Sequence, residues 1–159
     1  MGQLSRPNRR RLRRVDSSAE FAACAVCLTA IGAAALLHDV LEDTAVTADE
    51  LRADVGEEIT QLVIALTDQV PKSAGNRAVR KHLEAERLAL TPAGAQTVKV
   101  ADMINNLESI ATHDRGFARI YLGEMEYLLE RLTAADPALL ALAERHMLDA
   151  RRLLAAPRA

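Results

Sequence analysis

Hydrophobic residues recur along this chain at intervals of three and four, the spacing that places side chains on one face of an α-helix. The interval is clear in residues 57–67, where one face collects Ile59, Leu62, Val63 and Leu66. No sustained alternation of apolar and polar positions is bounded by turn residues, so the pattern predicts no β-strand. The sequence therefore predicts an all-α bundle of six or seven helices.

Capping residues and prolines divide the chain into these helices. Ser17 and Ser18 can cap the first helix, and Thr47 caps a short second one. A capping residue followed by a proline at the first helical position occurs twice, in Thr91-Pro92 and Asp136-Pro137. We predict helices over residues 18–41, 48–55, 57–67, 76–90, 92–110, 117–132 and 137–154, with a loop over 70–75 and a turn over 113–116. No linker is long enough to separate a second domain, so one domain is expected over residues 17–156.

Charge is distributed unevenly along the chain. The whole sequence has 20 basic and 22 acidic residues, for a net charge of −2. Residues 1–14 hold six of the basic residues, all arginine, and no acid, so the remainder has 14 basic against 22 acidic residues. We expect residues 1–16 to form a disordered tail, since such a composition seldom buries a core. Contact of this tail with nucleic acid or an acidic membrane by charge alone is the alternative, and no specific nucleic-acid binding is expected.

The tail is followed by an apolar stretch, residues 21–37, in which Thr29 is the only polar side chain apart from two thiols. A signal peptide or a membrane anchor is one interpretation of such a stretch. It is shorter than the ~20 residues of a spanning helix and leads directly into polar residues, so we expect no membrane span and a cytoplasmic protein. Cys24 and Cys27 lack the further ligands that a zinc site needs, which predicts two buried thiols.

Polar groups that could carry chemistry appear abruptly at the end of this apolar stretch. They are one histidine and three carboxylates, namely His38, Asp39, Glu42 and Asp43. Burying such groups costs free energy unless they pair with each other or bind a cation. On a continuous helix His38 and Glu42 share a face, as do Asp39 and Asp43. Imidazole and carboxylate together are suitable ligands for manganese, iron or zinc.

A second isolated acid, Asp102, lies on another apolar helix between Val98, Val100 and Ile104, and is expected to point inward. One interpretation is a structural carboxylate paired with Lys99 or an asparagine. The other is a metal ligand that acts together with His38. Because the chain contains both the group from His38 to Asp43 and the isolated Asp102, we favour the interpretation of Asp102 as a metal ligand.

The two clusters together resemble the HD-domain phosphohydrolases. The motif His38-Asp39-x-x-Glu42-Asp43 is followed by Lys99-Val100-Ala101-Asp102-x-x-x-Asn106. The combination is most similar to the hydrolase domain of the RelA/SpoT enzymes and their small stand-alone relatives, which remove the 3′-pyrophosphate from (p)ppGpp. Residues 76–81 and 113–122 also resemble segments of the stand-alone members. The resemblance covers roughly residues 31–135 and implies an HD-domain helical bundle.

The resemblance also implies a role for each matching residue. It implies a divalent metal, usually Mn²⁺, held by His38, Asp39 and Asp102. It implies that the attacking water is oriented and deprotonated by Glu42 and Asp43, and that Asn106 lies near the nucleotide. The expected substrate is (p)ppGpp or a related nucleotide. Its phosphates could be met by the basic side chains of Arg77, Arg80, Lys81 and Lys99, although a solvated helix face is the alternative for residues 77–81.

The sequence departs from the family upstream of its first motif, because residues 1–30 do not resemble the segment that supplies a metal-binding histidine and substrate contacts in the family. HD enzymes carry a further metal-binding histidine on an upstream helix, whereas no histidine precedes His38 here. Three protein ligands with extra water, or a substitute among His82, His113 and His146, would each preserve a metal site. A catalytically impaired relative that binds a nucleotide or a protein partner is the alternative function. A misplaced start or a frame error in the gene is a further explanation.

Overall fold

The computed structural model describes the backbone of residues 18–156 and the side chains of residues 28–156. Within that part the chain forms helices and no strand, as the sequence predicts. The helices are α1 (Ser18–Leu37), α2 (Val40–Asp43), α3 (Ala48–Val55), α4 (Glu57–Leu66), α5 (Arg77–Leu88), α6 (Ala93–His113), α7 (Arg115–Leu129) and α8 (Pro137–Ala155), with a short 3₁₀ turn at Lys72–Ala74. Because α2 is a single turn, seven of the described helices are substantial, and the predicted all-α bundle is confirmed. The expectations for residues 1–16 and for the thiols of Cys24 and Cys27 lie outside the described residues.

Two helix starts match the predicted caps, Thr47 and Asp136, and a third helix is capped by Asn76, the first residue of the helix predicted over 76–90. Thr47 and Glu50 form a capping box at α3, in which the Thr47 hydroxyl accepts from the Glu50 amide and the Glu50 carboxylate accepts from the Thr47 amide. The Asn76 side chain accepts from the amide of Val79 at the start of α5. Asp136 accepts two amides at the start of α8, directly before its proline. Short polar side chains at these positions satisfy amides that have no partner in the first turn.

Several predicted helix boundaries are wrong, among them the end of the helix predicted over 117–132, which stops at Leu129. The first helix ends at Leu37 instead of continuing to residue 41, and a two-residue turn separates it from α2. Thr91 does not cap α6, because its hydroxyl donates to the carbonyl of Leu88 instead, and Pro92 lies just before the helix. The predicted turn over 113–116 is a single residue, Asp114, whose carboxylate caps α7 and allows the helices on either side to continue.

The buried apolar side chains form two main groups that α6 connects. The larger group packs α5, α6, α7 and α8 around Leu88, Met103, Leu107, Met125 and Leu132. The smaller group joins α1, α3 and α4 around Ala34, Leu51 and Val63. Leu66, Ala95 and Val98 bridge α4 and α6 between them. The long helix α6 therefore presents one side to each half of the bundle, and its middle lies where the halves meet.

Small residues allow α1 to approach this central helix. A Cβ added at Gly94 of α6 would lie 3.1 Å from the side chain of Ile31, so this position accepts only glycine without displacement of its neighbour. The approach brings the carboxyl end of α1, where His38 lies, toward α6. No helix within the described residues has the length and apolarity required to cross a bilayer.

Candidate active site

The break between α1 and α2 begins at His38. Its Nδ1 lies 2.9 Å from the carbonyl oxygen of Ala35, which in a continuous helix would accept the amide of Asp39. Since a carbonyl only accepts, the hydrogen of this bond belongs to Nδ1. The chain turns for two residues, and α2 then begins on the carbonyl of Asp39, which accepts the amides of Glu42 and Asp43. The side-chain bond of His38 thus fixes its ring and leaves Nε2 to contact other groups.

Two carboxylates approach the free nitrogen of this ring. His38 Nε2 lies 3.0 Å from Asp39 Oδ2 and 3.5 Å from Asp102 Oδ1 on α6. A nitrogen lone pair that faces two carboxylate oxygens is repelled unless a proton or a metal cation lies between them. Histidines that bind metals commonly donate their other N–H to a backbone carbonyl, as His38 does to Ala35. A proton or a divalent cation would satisfy this arrangement, and imidazole and carboxylate are donors of the types that such a cation takes.

Asp102 also has two partners on its own helix. Lys99 Nζ donates to its Oδ2 at 3.0 Å, and Asn106 Nδ2 donates to its Oδ1 at 2.7 Å. The carboxylate is largely buried, with 13% of the side chain exposed. The pairing with Lys99 and an asparagine, which one interpretation of the sequence predicts, is present, and Asp102 faces His38 as well.

The arrangement stops short of a complete ligand sphere. Across residues 28–156, no three or more histidine, cysteine, aspartate or glutamate side chains are grouped so that they could hold one ion. The other histidines make contacts elsewhere: His82 Nε2 pairs with the Tyr127 hydroxyl, and His113 Nδ1 faces the carbonyl of Ser109. His146 borders a separate groove. None of these three lines the cleft next to Asp102.

Glu42 and Asp43 differ in their surroundings. Glu42 Oε1 accepts the backbone amide of Asp68 at 2.6 Å, which fixes α2 to the chain that leaves α4. Glu42 also lines the cleft, whereas the exposed Asp43 does not. The helix break removes the regular spacing that predicted a shared face for His38 and Glu42. In the structure His38 instead adjoins Asp39 and Asp102.

These residues border a cleft of about 200 Å³ between the two halves of the bundle. Six carboxylates line it, namely Asp39, Glu42, Asp68, Glu84, Asp102 and Glu124. Three cationic side chains line it, namely Arg77, Lys81 and Lys99. An anionic ligand in a cleft with this excess of negative charge requires an additional cation for its binding to be favourable.

Each basic side chain of the cleft is already paired with an acid. Arg77 donates to both oxygens of Glu124, at 2.7 and 2.8 Å, which raises the pKa of its guanidinium, and it lies 5.0 Å above the ring of Phe117. Lys81 faces Asp68 at 3.5 Å. Arg80 does not line the cleft, because its guanidinium donates to the carbonyl of Gly75. Seven of the ten residues singled out from the sequence thus line the cleft, His38 contacts two of them without lining it, and Asp43 and Arg80 lie outside.

Several cleft residues were not identified from the sequence. Tyr121 and Glu124 lie one turn apart on α7, and Glu84 is buried on α5. Burial raises the pKa of Tyr121 well above its usual value, the Asp102 carboxylate adds to the rise, and a hydrogen bond with Asn106 opposes it. An acid within an apolar helix face was the available signal for Glu124, as it was for Asp102, whereas Glu84 lies among basic residues of α5 and gave no such signal.

Comparison with known proteins finds similarity to guanosine-3′,5′-bis(diphosphate) 3′-pyrophosphohydrolases, although no family model matches the chain. The protein is 39% identical over 79 residues to the enzyme of this name, MESH1, from Homo sapiens, a match that covers 48% of this chain and 41% of the relative. The MESH1 protein of Drosophila melanogaster is 36% identical over 86 residues, which cover 53% of this chain and 46% of the relative.

A bacterial relative gives a similar result. A probable guanosine-3′,5′-bis(diphosphate) 3′-pyrophosphohydrolase of Mycoplasma pneumoniae is 35% identical over 86 residues, which cover 48% of this chain and 12% of the relative. The matches thus span less than half the length of each of these relatives. Over about half of its own length, the chain is similar to proteins named as hydrolases of a guanosine polyphosphate.

Proposed function

We propose that the protein is a metal-dependent phosphohydrolase of the HD-domain type that removes pyrophosphate from (p)ppGpp or a related nucleotide. The observation that supports this most directly is the approach of Asp39 and Asp102 to the Nε2 of His38 at the edge of a cleft. The similarity to pyrophosphohydrolases over half of the chain indicates the same chemistry.

The proposed metal ligands are His38, Asp39 and Asp102, with water completing the coordination of Mn²⁺ or another divalent ion. When bound, such an ion lowers the pKa of a coordinated water and neutralises charge on phosphoryl oxygens. The ring of His38 is oriented for this role by Ala35, and Asp102 is oriented by Lys99 and Asn106. Second contacts of this kind hold ligand atoms in place before an ion arrives.

Glu42 is the proposed general base, with Asp43 assisting. One carboxylate oxygen of Glu42 is fixed by the amide of Asp68, which leaves the other free to accept a proton from water within hydrogen-bond reach. In the hydrolysis the water oxygen bonds to phosphorus and the bond from phosphorus to the 3′-oxygen breaks, so the proton that Glu42 accepts passes, directly or through solvent, to the leaving 3′-oxygen. Positioned bases contribute about 10²- to 10⁴-fold in rate.

The phosphates are proposed to contact Lys99, Lys81 and Arg77, with Arg80 adding charge nearby and Asn106 contacting the nucleotide. Because each cleft cation is paired with an acid, a phosphate must exchange with Asp102, Asp68 or Glu124. Such an exchange is favourable for a polyphosphate, whose charge exceeds that of one carboxylate.

A non-catalytic relative that binds a nucleotide or a protein partner is the second candidate function. The incomplete grouping of ligands across residues 28–156 favours it. It predicts nucleotide binding in calorimetry with no release of pyrophosphate at any concentration of metal.

The deciding experiment is an assay of the purified full chain for pyrophosphate release from ppGpp, with and without Mn²⁺, together with its metal content. We expect metal-dependent release, and a loss of about 10²-fold or more in Glu42→Gln because the base is removed. We expect Asp102→Ala to lose both activity and bound metal. Ser109→Ala, an exposed change on the same helix, is the matched control and retains both. Absence of turnover with guanosine and adenosine polyphosphates at saturating Mn²⁺ would refute the proposal.

A further inference from the structure

The peptide group that joins Thr67 to Asp68 is held at both ends by charged side chains. Its carbonyl oxygen accepts a hydrogen bond from Arg87 Nη2 at 3.1 Å. Its N–H donates to Glu42 Oε1 at 2.6 Å. One amide therefore connects a guanidinium on α5 to the carboxylate of the proposed general base on α2.

The guanidinium is itself fixed in place by a buried acid. Arg87 Nε donates to both carboxylate oxygens of Glu84, at 3.0 and 3.1 Å, and Nη2 contacts the same carboxylate. Glu84 is 5% exposed, and a carboxylate buried to this degree needs a charged partner. The planar guanidinium, held along one edge by Glu84, has a fixed direction for its contact with Thr67.

The local backbone makes this carbonyl available. Thr67 follows the last residue of α4 and has φ −59° and ψ 131°, so the chain leaves the helix at this point. The Thr67 carbonyl therefore takes no part in the hydrogen bonding of α4, and a cation at the carboxyl end of a helix is favourable for its dipole. The same change of direction points the amide of Asp68 toward α2.

We propose that Arg87 is a positioning residue for Glu42 and acts through this peptide group. The proposal rests on the proposed function, in which Glu42 deprotonates the attacking water. A cation on the carbonyl oxygen polarises the amide and strengthens its N–H as a donor, because hydrogen bonds in a chain reinforce one another. The strengthened donor holds one oxygen of Glu42 and directs the other toward the cleft. Arg87 does not itself line the cleft.

Arg87→Lys tests this coupling without removing the charge that Glu84 requires. We expect kcat to fall about tenfold with KM nearly unchanged, because the base is less well oriented while the phosphate contacts remain. In the Glu42→Gln background the same change is expected to have little further effect, because the group that it positions is no longer a base. Equal loss in both backgrounds would show a merely structural role and would overturn the proposal.

The amide resonance of Asp68 gives a readout that needs no activity. In ¹⁵N–¹H spectra of the full chain, we expect Arg87→Lys and Glu42→Gln each to move this resonance upfield and to speed its exchange with solvent. An Asp68 amide unmoved by Arg87→Lys overturns the positioning role. A wild-type protein without turnover refutes the proposed function alone, since the amide still reports whether Arg87 and Glu42 are coupled.

Two further variants complete the test. Glu84→Gln keeps the guanidinium but loosens its orientation, and is expected to reproduce the kcat effect to a smaller extent. Arg131→Lys is the matched control, because Arg131 pairs with Glu86 of the same helix α5 and neither residue lines the cleft. It is expected to leave kcat and the Asp68 amide unchanged. A kcat loss in Arg131→Lys equal to that in Arg87→Lys would contradict the proposal.

Discussion

At the scale of single residues, the properties of the cleft side chains depend on neighbours that are distant in sequence. Asp102 receives Lys99 and Asn106 from its own helix and faces His38 from α1. Tyr121 on α7 is mostly buried against the same carboxylate. A carboxylate beside a phenol disfavours the charged form of the phenol, and burial does the same.

Tyr121 should make the stability of the protein sensitive to high pH. Its folded-state pKa is raised, so in the unfolded chain it loses its proton near its usual value of about 10, while the folded protein retains it. The contribution is fully present below that value and is lost as pH rises above it. We expect this residue to lower the free energy of unfolding by up to about 1.4 kcal/mol per pH unit above pH ~10.

Tyr121→Phe removes this proton and isolates its effect. The difference in free energy of unfolding between wild type and variant, measured by urea titration, should be constant from about pH 7 to 9 and shrink above about pH 10. Curves that remain parallel through this range would contradict the assignment.

At the scale of helices, local hydrogen bonds determine where each helix begins and ends. Some of these hydrogen bonds can be predicted from the sequence and others cannot. The capping box of Thr47 and Glu50 is contained within four residues, so it can be recognised in the sequence. The helix break at His38 depends on the hydrogen bond from the His38 ring to the carbonyl of Ala35. No capping pattern in the sequence predicts this bond. The Thr91 hydroxyl similarly donates to the carbonyl of Leu88 instead of accepting an amide of α6.

Asp136 provides a test of a helix cap that the sequence predicts. Its carboxylate accepts the amides of Ala138 and Leu139, at 2.9 and 3.0 Å. Asp136→Ala leaves both without this partner, and we expect the free energy of unfolding to fall by about 1 kcal/mol. Asp149→Ala, an exposed change within α8, is the control and should shift it by no more than about 0.5 kcal/mol. Equal effects in urea denaturation would refute the capping role.

At the scale of the whole molecule, a buried amide joins two connections that are far apart in sequence. Gln96 is 1% exposed, and its Nε2 donates to the carbonyls of Ala89 and Thr91 between α5 and α6. Its Oε1 accepts the amide of Ala134 between α7 and α8. The residue therefore fixes the spacing of α5, α6 and α7, the helices that supply most of the lining of the cleft.

Gln96→Leu should destabilise the whole fold rather than one helix. The change leaves three backbone groups without partners, and each such group costs about 1–3 kcal/mol when buried. We expect a loss of about 3 kcal/mol or more in the free energy of unfolding. Gln61→Leu, at an exposed glutamine whose side chain donates to Glu57, should change it by about 0.5 kcal/mol or less. A small effect of Gln96→Leu in urea denaturation would contradict this account.

The sequence by itself determined what depends on local spacing. Apolar periodicity predicted the helices, short polar residues predicted two of their caps, and acids inside apolar helices predicted Asp39 and Asp102 as residues of one site. These features can be predicted from the sequence because each is contained within one or two helical turns.

Only the tertiary structure decided which of these groups meet. The hydrogen bond from the His38 ring to the carbonyl of Ala35 interrupts the helix, and the packing of α1 on α6 brings Asp102 to the same ring. The pairing of Arg77 with Glu124 joins α5 to α7 and could not be read from either helix alone. Likewise, the peptide between Thr67 and Asp68 receives Arg87 and Glu42 from two other helices. Contacts between distant segments depend on how whole helices pack, and no local pattern encodes that packing.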